Sequence, residues 1–170
     1  MSGGFLDPNG AAITTDQIRA WIANGQGYTL SLGNFSSGSG TNNYAVSIFN
    51  PSSNSKNILV YSVIAANGSG GQTALLQMIT SDTAFTQTNP INSQAGGPAS
   101  SIQATSRIAT SNQSLSGTFR ETIAIASATQ EMLINGDCIL LPKGSSNGLA
   151  AYIETFAAGI NSLIVKWVEY

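Results

Sequence analysis

Ile139-Leu-Leu-Pro-Lys-Gly144 begins the stretch that decides the fold, and Leu163-Ile-Val-Lys-Trp-Val-Glu-Tyr170 ends it. Between them lie a Ser-Ser-Asn-Gly turn, an apolar run at residues 149–157 and a Gly-Ile-Asn connection. Short apolar runs separated by turn residues predict a β-meander. Its last strand carries Trp167 and Tyr170, so we expect this end to be tied into a sheet. The stretch therefore predicts an all-β domain.

The same alternation of apolar runs and turns extends back from this meander to Tyr28. It predicts nine strands, at residues 28–35, 43–50, 58–66, 73–81, 102–109, 117–126, 133–141, 149–157 and 163–170. No repeat or linker separates these strands, so we expect a single β-sandwich or barrel. The predicted organisation is an N-terminal arm with a short helix, residues 1–27, followed by the β domain, residues 28–170.

One helix is predicted ahead of the strands. Thr14 can cap it, Gln17 stands three residues on as in a capping box, and Gly25 can end it. Its apolar face carries three residues, Ile18, Trp21 and Ile22. An apolar face with a tryptophan on so short a helix requires burial, either as a lid over one end of the β domain or as a plug between subunits.

The last predicted strand is apolar on both faces. One face carries Leu163, Val165 and Trp167, and the other carries Ile164, Val168 and Tyr170. Two apolar faces on one strand imply a core on one side and a partner on the other. The alternative is that the early helix covers the outer face.

Charge is scarce in this chain. Only 8% of the residues are charged, against roughly 25% in a typical soluble domain, and the formal net charge is −2. Because hydroxyls and amides cost less to bury than charges, such a surface suits a subunit covered by neighbours. A secreted or carbohydrate-facing domain is the alternative.

The basic residues are scattered singly, which disfavours nucleic acid as a partner. No leader and no apolar run near ~20 residues is recognisable, so we expect no membrane attachment and synthesis in a cytoplasm.

No arrangement of residues for catalysis is recognisable. The chain has no histidine, which excludes a Ser-His-Asp triad and the common Cys/His zinc sites. Cys138 lies in an apolar run without clustered cations, so we expect a small buried hydrophobe rather than a nucleophile. Folding could pair Glu121 with Glu154 as in a glycosidase, but their spacing gives no sign of this. We expect a non-enzymatic protein with no catalytic residue, cofactor or metal.

The N-terminal arm, Ser2-Gly-Gly-Phe-Leu-Asp-Pro-Asn-Gly10, carries the apolar pair Phe5-Leu6. An arm this rich in glycine becomes ordered when something covers it, and the cover is either a neighbouring subunit or the chain's own domain. The arm therefore indicates assembly without establishing it.

A long uncharged loop follows Asp82 and reaches Ser101. Loops of this length usually bind something, and we favour contact with a neighbouring subunit. The alternative is that its amides bind sugar hydroxyls, helped by three aromatic residues, Tyr28, Tyr44 and Tyr152.

Two stretches resemble structural proteins of tailed bacteriophages. In Phe49-Asn-Pro-Ser-Ser-Asn-Ser-Lys-Asn-Ile-Leu-Val-Tyr-Ser-Val63, a strand ends at Asn-Pro, crosses a turn and restarts at Lys-Asn. The second stretch combines Leu141-Pro-Lys-Gly144, Leu149-Ala-Ala-Tyr-Ile-Glu154 and the closing Val165-Lys-Trp-Val-Glu169. Both consist of turn and strand signatures and contain no catalytic pattern.

This resemblance implies a single jelly-roll virion protein, similar to head decoration (cement) proteins, small capsid subunits and tail or baseplate modules, which commonly form trimers. We therefore expect a head decoration or small capsid subunit that forms a homotrimer and contacts the major capsid protein or other virion proteins. A carbohydrate- or receptor-binding module of the tail or baseplate is the alternative. The residues expected at inter-subunit contacts are Phe5, Leu6, Ile18, Trp21, Ile22, Trp167 and Tyr170.

Overall fold

The computed structural model describes residues 5–6, 10–37, 43–68, 70, 72–81, 83, 86–98, 103–109, 117–126, 128–134, 138–154 and 159–170. The elements in chain order are β1 (Phe5–Leu6), β2 (Ala12–Ile13), α1 (Thr15–Ala23), β3 (Gly27–Ser37), β4 (Asn43–Asn50), β5 (Ile58–Asn67), β6 (Gln72–Ile79), β7 (Thr86–Gln87), β8 (Ile91–Asn92), β9 (Thr105–Ala109), β10 (Gly117–Ile125), β11 (Thr129–Ile134), β12 (Ile139–Leu141), β13 (Asn147–Glu154) and β14 (Gly159–Glu169). The prediction of an all-β protein with one short helix is confirmed for these residues.

The strands form two large sheets and one small one. The β4 sheet has the order β10-β6-β13-β4-β9-β7, and the β5 sheet has the order β11-β5-β14-β3-β8. β12 pairs with the first part of β5, on residues Ile58–Val60, while β11 pairs with its later part. β1 and β2 pair with each other. Every pairing among the described strands is antiparallel.

The main core lies between the two large sheets. Each strand alternates its side chains between the two faces, and the inward residues of both sheets form one continuous apolar cluster. Its largest fully buried members include Trp167, Tyr28, Ile48, Leu76 and Leu163. Burying an aliphatic or aromatic side chain of this size contributes about 1.5–3 kcal/mol, so this cluster is the main source of stability.

The outer faces of both sheets also carry buried apolar side chains. On the β4 sheet, Ala45, Ala150 and Tyr152 belong to a second cluster and have almost no exposed surface. On the β5 sheet, Leu59 and Val168 form a third cluster with α1 and β2. Strands that are buried on both faces explain why the sequence reads as apolar runs rather than strict alternation.

Most predicted strands are present with shifted ends, but the strand predicted at residues 133–141 was wrong. The structure has two strands there, β11 and β12, and both pair with β5. The sequence between them is Asn135-Gly-Asp137, and these residue types favour turns over strand interiors. The predicted long loop also contains two short strands, β7 and β8, at the edges of the two sheets.

Candidate interaction surface

The helix α1 forms where the sequence predicts it. The Thr14 hydroxyl accepts a hydrogen bond from the backbone N–H of Gln17, and the Gln17 side chain accepts one from the backbone N–H of Thr14, each at 3.2 Å. At the other end, Gly25 has φ +76 and its N–H bonds Ile22 O, while Gln26 N–H bonds Trp21 O. These two bonds form a Schellman motif, which needs a glycine at the left-handed position.

The apolar face of α1 packs on the outer face of the β5 sheet. Ile18, Trp21 and Ile22 are half-buried there against Leu59 and Val168, which are fully buried. The sequence left three positions open for α1. The structure places the helix over the outer face of the last strand and not over an end of the sandwich. The helix covers this face within its own chain.

The C-terminal residue Tyr170 is fixed by its backbone and by its ring. Its N–H bonds Asn57 O at 3.1 Å, and its carbonyl accepts from Asn57 N at 2.9 Å. Its ring stacks on Trp21 with centroids 4.1 Å apart. Tyr170 therefore joins the end of β14 to both α1 and the segment that begins β5.

The neighbouring residue Glu169 is a buried carboxylate that accepts three N–H groups. Its Oε2 accepts from Gln103 N at 2.8 Å, and its Oε1 accepts from Ala104 N at 3.1 Å and from Trp167 Nε1 at 3.3 Å. Glu169 has no exposed surface. Hydrogen bonds to a charged acceptor are stronger than neutral ones, so this carboxylate fixes the chain ahead of β9 to the end of β14.

The segment 86–98 is held against the end of α1. Asn92 Nδ2 donates to Gly25 O at 2.9 Å, and Gln94 Nε2 donates to Ala23 O at 3.0 Å. Burial raises the pKa of the Tyr61 phenol above its ordinary value, and a hydrogen bond with Ser93 lowers it by less. The side chains of Asn92, Ser93 and Gln94 are therefore bonded within the chain.

Two of the three aromatic residues considered for sugar binding are buried. Tyr28 lies in the core beside Trp167, and their ring centroids are 5.7 Å apart. Tyr152 is buried in the outer cluster of the β4 sheet. The side chain of Tyr44 lies outside the described residues. Stacking on a sugar requires an accessible ring face, which neither Tyr28 nor Tyr152 presents.

Two stretches singled out in the sequence, residues 49–63 and the connection after β12, meet in space. Asn50 Nδ2 donates to Leu141 O at 2.9 Å and to Pro142 O at 2.8 Å. Lys143 N donates to Asn57 Oδ1 at 3.0 Å. The asparagines that flank the first turn therefore fix the connection between β12 and β13. Asn50 and Asn57 therefore have a structural role.

The structure places the residues predicted at inter-subunit contacts in three settings. Leu6 is 58% exposed, whereas Trp167 has no exposed surface and lies in the core. Four others are half-buried around the stacked rings: Ile18, Trp21, Ile22 and Tyr170. The side chain of Phe5 lies outside the described residues. The contact with a neighbouring subunit stays a prediction, and the surface available for it excludes Trp167.

The exposed large apolar side chains of the described residues lie on one side of the molecule. They are Leu6, Ile91 and Met132, which are 58%, 74% and 44% exposed. Ile91 is opposite Thr29, which follows the inward-facing Tyr28 and therefore points outward. Met132 is opposite Ile64, which lies between two core residues of β5 and therefore also points outward. Both therefore belong to the outer face of the β5 sheet.

Leu6 lies on the same side of the molecule. It is in β1, which pairs with β2, and Ile13 of β2 packs in the cluster of Leu59 and Val168. Sequence reasoning missed Ile91 and Met132, because Ile91 lies in the loop predicted after Asp82 and Met132 lies just before the strand predicted at residues 133–141.

The described residues provide neither a group of metal-ligating side chains nor a membrane-spanning helix. Within residues whose placement is described, no three His, Cys, Asp or Glu side chains group as a metal site. The side chains of Glu121 and Glu154 lie outside the described residues. No helix in the described ranges has the length and hydropathy to span a membrane.

Comparison with known proteins provides no family. No family model, no curated protein and no solved structure matches the chain.

Proposed function

We propose that this protein is a non-enzymatic structural subunit of a tailed-phage virion with a jelly-roll fold. Within that class, the proposal is a head decoration or small capsid subunit that forms a homotrimer and contacts the major capsid protein. The sequence resemblance, the strand order and the distribution of exposed apolar residues support it.

The strand order is the observation that carries the proposal. The eight long strands, counted along the chain, are β3, β4, β5, β6, β10, β11, β13 and β14. In the β5 sheet the long strands lie side by side in the order β3, β14, β5, β11, which are the first, eighth, third and sixth along the chain. In the β4 sheet the order is β4, β13, β6, β10, which are the second, seventh, fourth and fifth. This order supports a jelly roll, a double-sheet architecture common in viral capsid domains and also found in lectin domains.

The outer side of the β5 sheet is the proposed contact surface. It combines the exposed Ile91 and Met132 with the half-buried face of α1. The one described ion pair on this side joins Arg19 to Asp16 within α1 at 3.5 Å. A neighbour that covers this surface removes apolar area from water and desolvates few charges, which favours association.

The oligomer is tested by light scattering coupled to size exclusion. We expect the intact chain to have the mass of a trimer, and we expect removal of residues 1–10 to abolish assembly while circular dichroism still reports the β fold. I91S and M132S should weaken the trimer, whereas T122S, at an exposed position of the β4 sheet, should not. A trimer unaffected by the deletion and by both serine variants would place the contact elsewhere.

The location in the virion is tested by immunogold labelling. Antibodies against the purified chain are applied to phage particles released from cells that carry the gene. Label on the heads supports the proposal. Label confined to the tail, together with binding on a glycan array, would instead support a receptor-binding module. A protein that stays monomeric at high concentration and labels no particle would overturn the virion role.

A further inference from the structure

A buried polar cluster lies between the sheets at one end of the sandwich. Asn67 ends β5, and Asn161 lies opposite it on β14. Gln72 begins β6 in the other sheet. None of these three residues is more than 3% exposed. Because Ala74 and Leu76 of β6 face the core, alternation directs Gln72 to the same interior.

Asn67 and Gln72, which belong to the two different sheets, both lie beside Ile125. Asn67 Nδ2, from the β5 sheet, donates to Ile125 O at 3.4 Å and to Ala126 O at 3.2 Å. Ile125 is also the residue opposite Gln72 in the pairing of β10 with β6. Asn67 and Gln72 are therefore neighbours across the interior of the sandwich.

Gln72 presents both a donor and an acceptor that no group of the described residues satisfies. Its Nε2 and Oε1 are both buried, and within the described part of the chain both lack a hydrogen-bond partner. Buried polar groups in folded proteins nearly always have a partner, and ordered water supplies it where the protein does not. The neighbouring side chains of Asn67 and Asn161 are uncharged amides. A small neutral molecule that both donates and accepts suits this environment better than an ion does.

We propose that Gln72 binds an ordered water molecule enclosed between the two sheets, beside Asn67 and Asn161. The water donates to Gln72 Oε1 or accepts from Nε2, and its remaining bonds go to the polar groups around Ile125. The site would link the first residue of β6 to the end of β5 across the sandwich. This inference is independent of the proposed role in a virion.

The test counts long-lived buried waters in the intact protein by oxygen-17 magnetic relaxation dispersion. Replacing Gln72 with leucine keeps a similar volume and removes both polar atoms, so we expect Q72L to hold one long-lived water fewer than the wild type. The matched control is Q130L, at an exposed position of β11, where the number should not change. An equal number in Q72L and the wild type would overturn the proposal.

Thermal unfolding provides a second readout with opposite expectations. If a water is bound, Q72L removes one of its partners and the midpoint of unfolding falls. If the amide simply lacks a partner, its removal relieves a buried polar group and the midpoint rises, which contradicts the proposal. Q72M, with a more adaptable apolar side chain, replaces Q72L in both measurements if circular dichroism shows that Q72L does not fold.

Discussion

The indole ring of Trp21 stacks on the phenol ring of Tyr170, with centroids 4.1 Å apart and planes inclined by 8°. The contact joins α1, which precedes the sandwich in sequence, to the residue that follows its last strand. Asn57 holds the backbone of Tyr170 through two hydrogen bonds, so the phenol ring lies on a fixed base. The docking of α1 on the β5 sheet therefore depends on the end of β14.

Replacing Trp21 with alanine should destabilise the protein by roughly 2 kcal/mol. A fully buried tryptophan costs more, but Trp21 is half-buried, and part of the loss is the stacking itself. Urea unfolding at one protein concentration measures the change, with R19A as the exposed control on the same helix. A double-mutant cycle of W21A with Y170A should give a coupling of about 1 kcal/mol. Additive effects would mean that the stack contributes nothing of its own.

Replacing Glu169 with glutamine should destabilise the fold by about 2 kcal/mol. The glutamine retains one oxygen, but its NH2 group replaces either Oε2, which accepts from one N–H group, or Oε1, which accepts from two, so at least one of the three donors loses its acceptor. E131Q makes the same chemical change at a half-buried position of β11 and should have a smaller effect.

Hydrogen exchange locates the effect of E169Q. The amides of Gln103 and Ala104 should exchange faster in this variant than in the wild type, while those of the central strands change less. Unchanged exchange at both amides would contradict the role assigned to the carboxylate.

The elements were largely predictable from the sequence, but their arrangement was not. Thr14, Gln17 and Gly25 predicted α1 because caps are local signals that need no tertiary contact. The position of α1 depends on which strand face lies open beneath it, and three positions were compatible with the sequence. The strand predicted at 133–141 joined two apolar stretches across Asn135-Gly-Asp137, whose residue types favour turns over strand interiors.

The candidate surface was predictable only in part. Trp21 and Tyr170 were recognised as anchors, but their contact with each other within one chain depends on pairings distant in sequence. Trp167 was expected at a subunit contact, and the structure buries it in the core. Glu169, two residues beyond Trp167, was not predicted as a buried hydrogen-bond acceptor. Its partners at Gln103 and Ala104 are backbone N–H groups, which no side-chain pattern shows.

Replacing Asn50 with alanine should destabilise the protein by about 2–3 kcal/mol. Asn50 Nδ2 donates to the carbonyls of Leu141 and Pro142, and also to Lys56 O at 3.3 Å, so the variant leaves buried carbonyls without their donor. N147A changes the exposed residue opposite Asn50 on β13 and serves as the control. Equal unfolding free energies for N50A and N147A, measured in urea, would show that the amide does not hold this connection.

Replacing Tyr61 with phenylalanine should make the protein less sensitive to alkaline pH. Burial raises the pKa of Tyr61 in the folded state, so its phenol keeps its proton in the fold at a pH where the unfolded chain has lost it. Tyrosine in an unfolded chain ionises near a pKa of about 10. Above that pH the unfolded state releases protons first, and the stability due to Tyr61 falls until the folded pKa is reached.

Urea unfolding of the wild type and Y61F at pH 8 and at pH 11 tests this prediction. At pH 8, Y61F should be slightly less stable because it lacks the hydrogen bond with Ser93. Between pH 8 and pH 11 the wild type should lose more stability than Y61F does, since the four other tyrosines are common to both proteins. An equal loss in the two proteins would mean that the phenol of Tyr61 ionises as readily in the fold as in the unfolded chain.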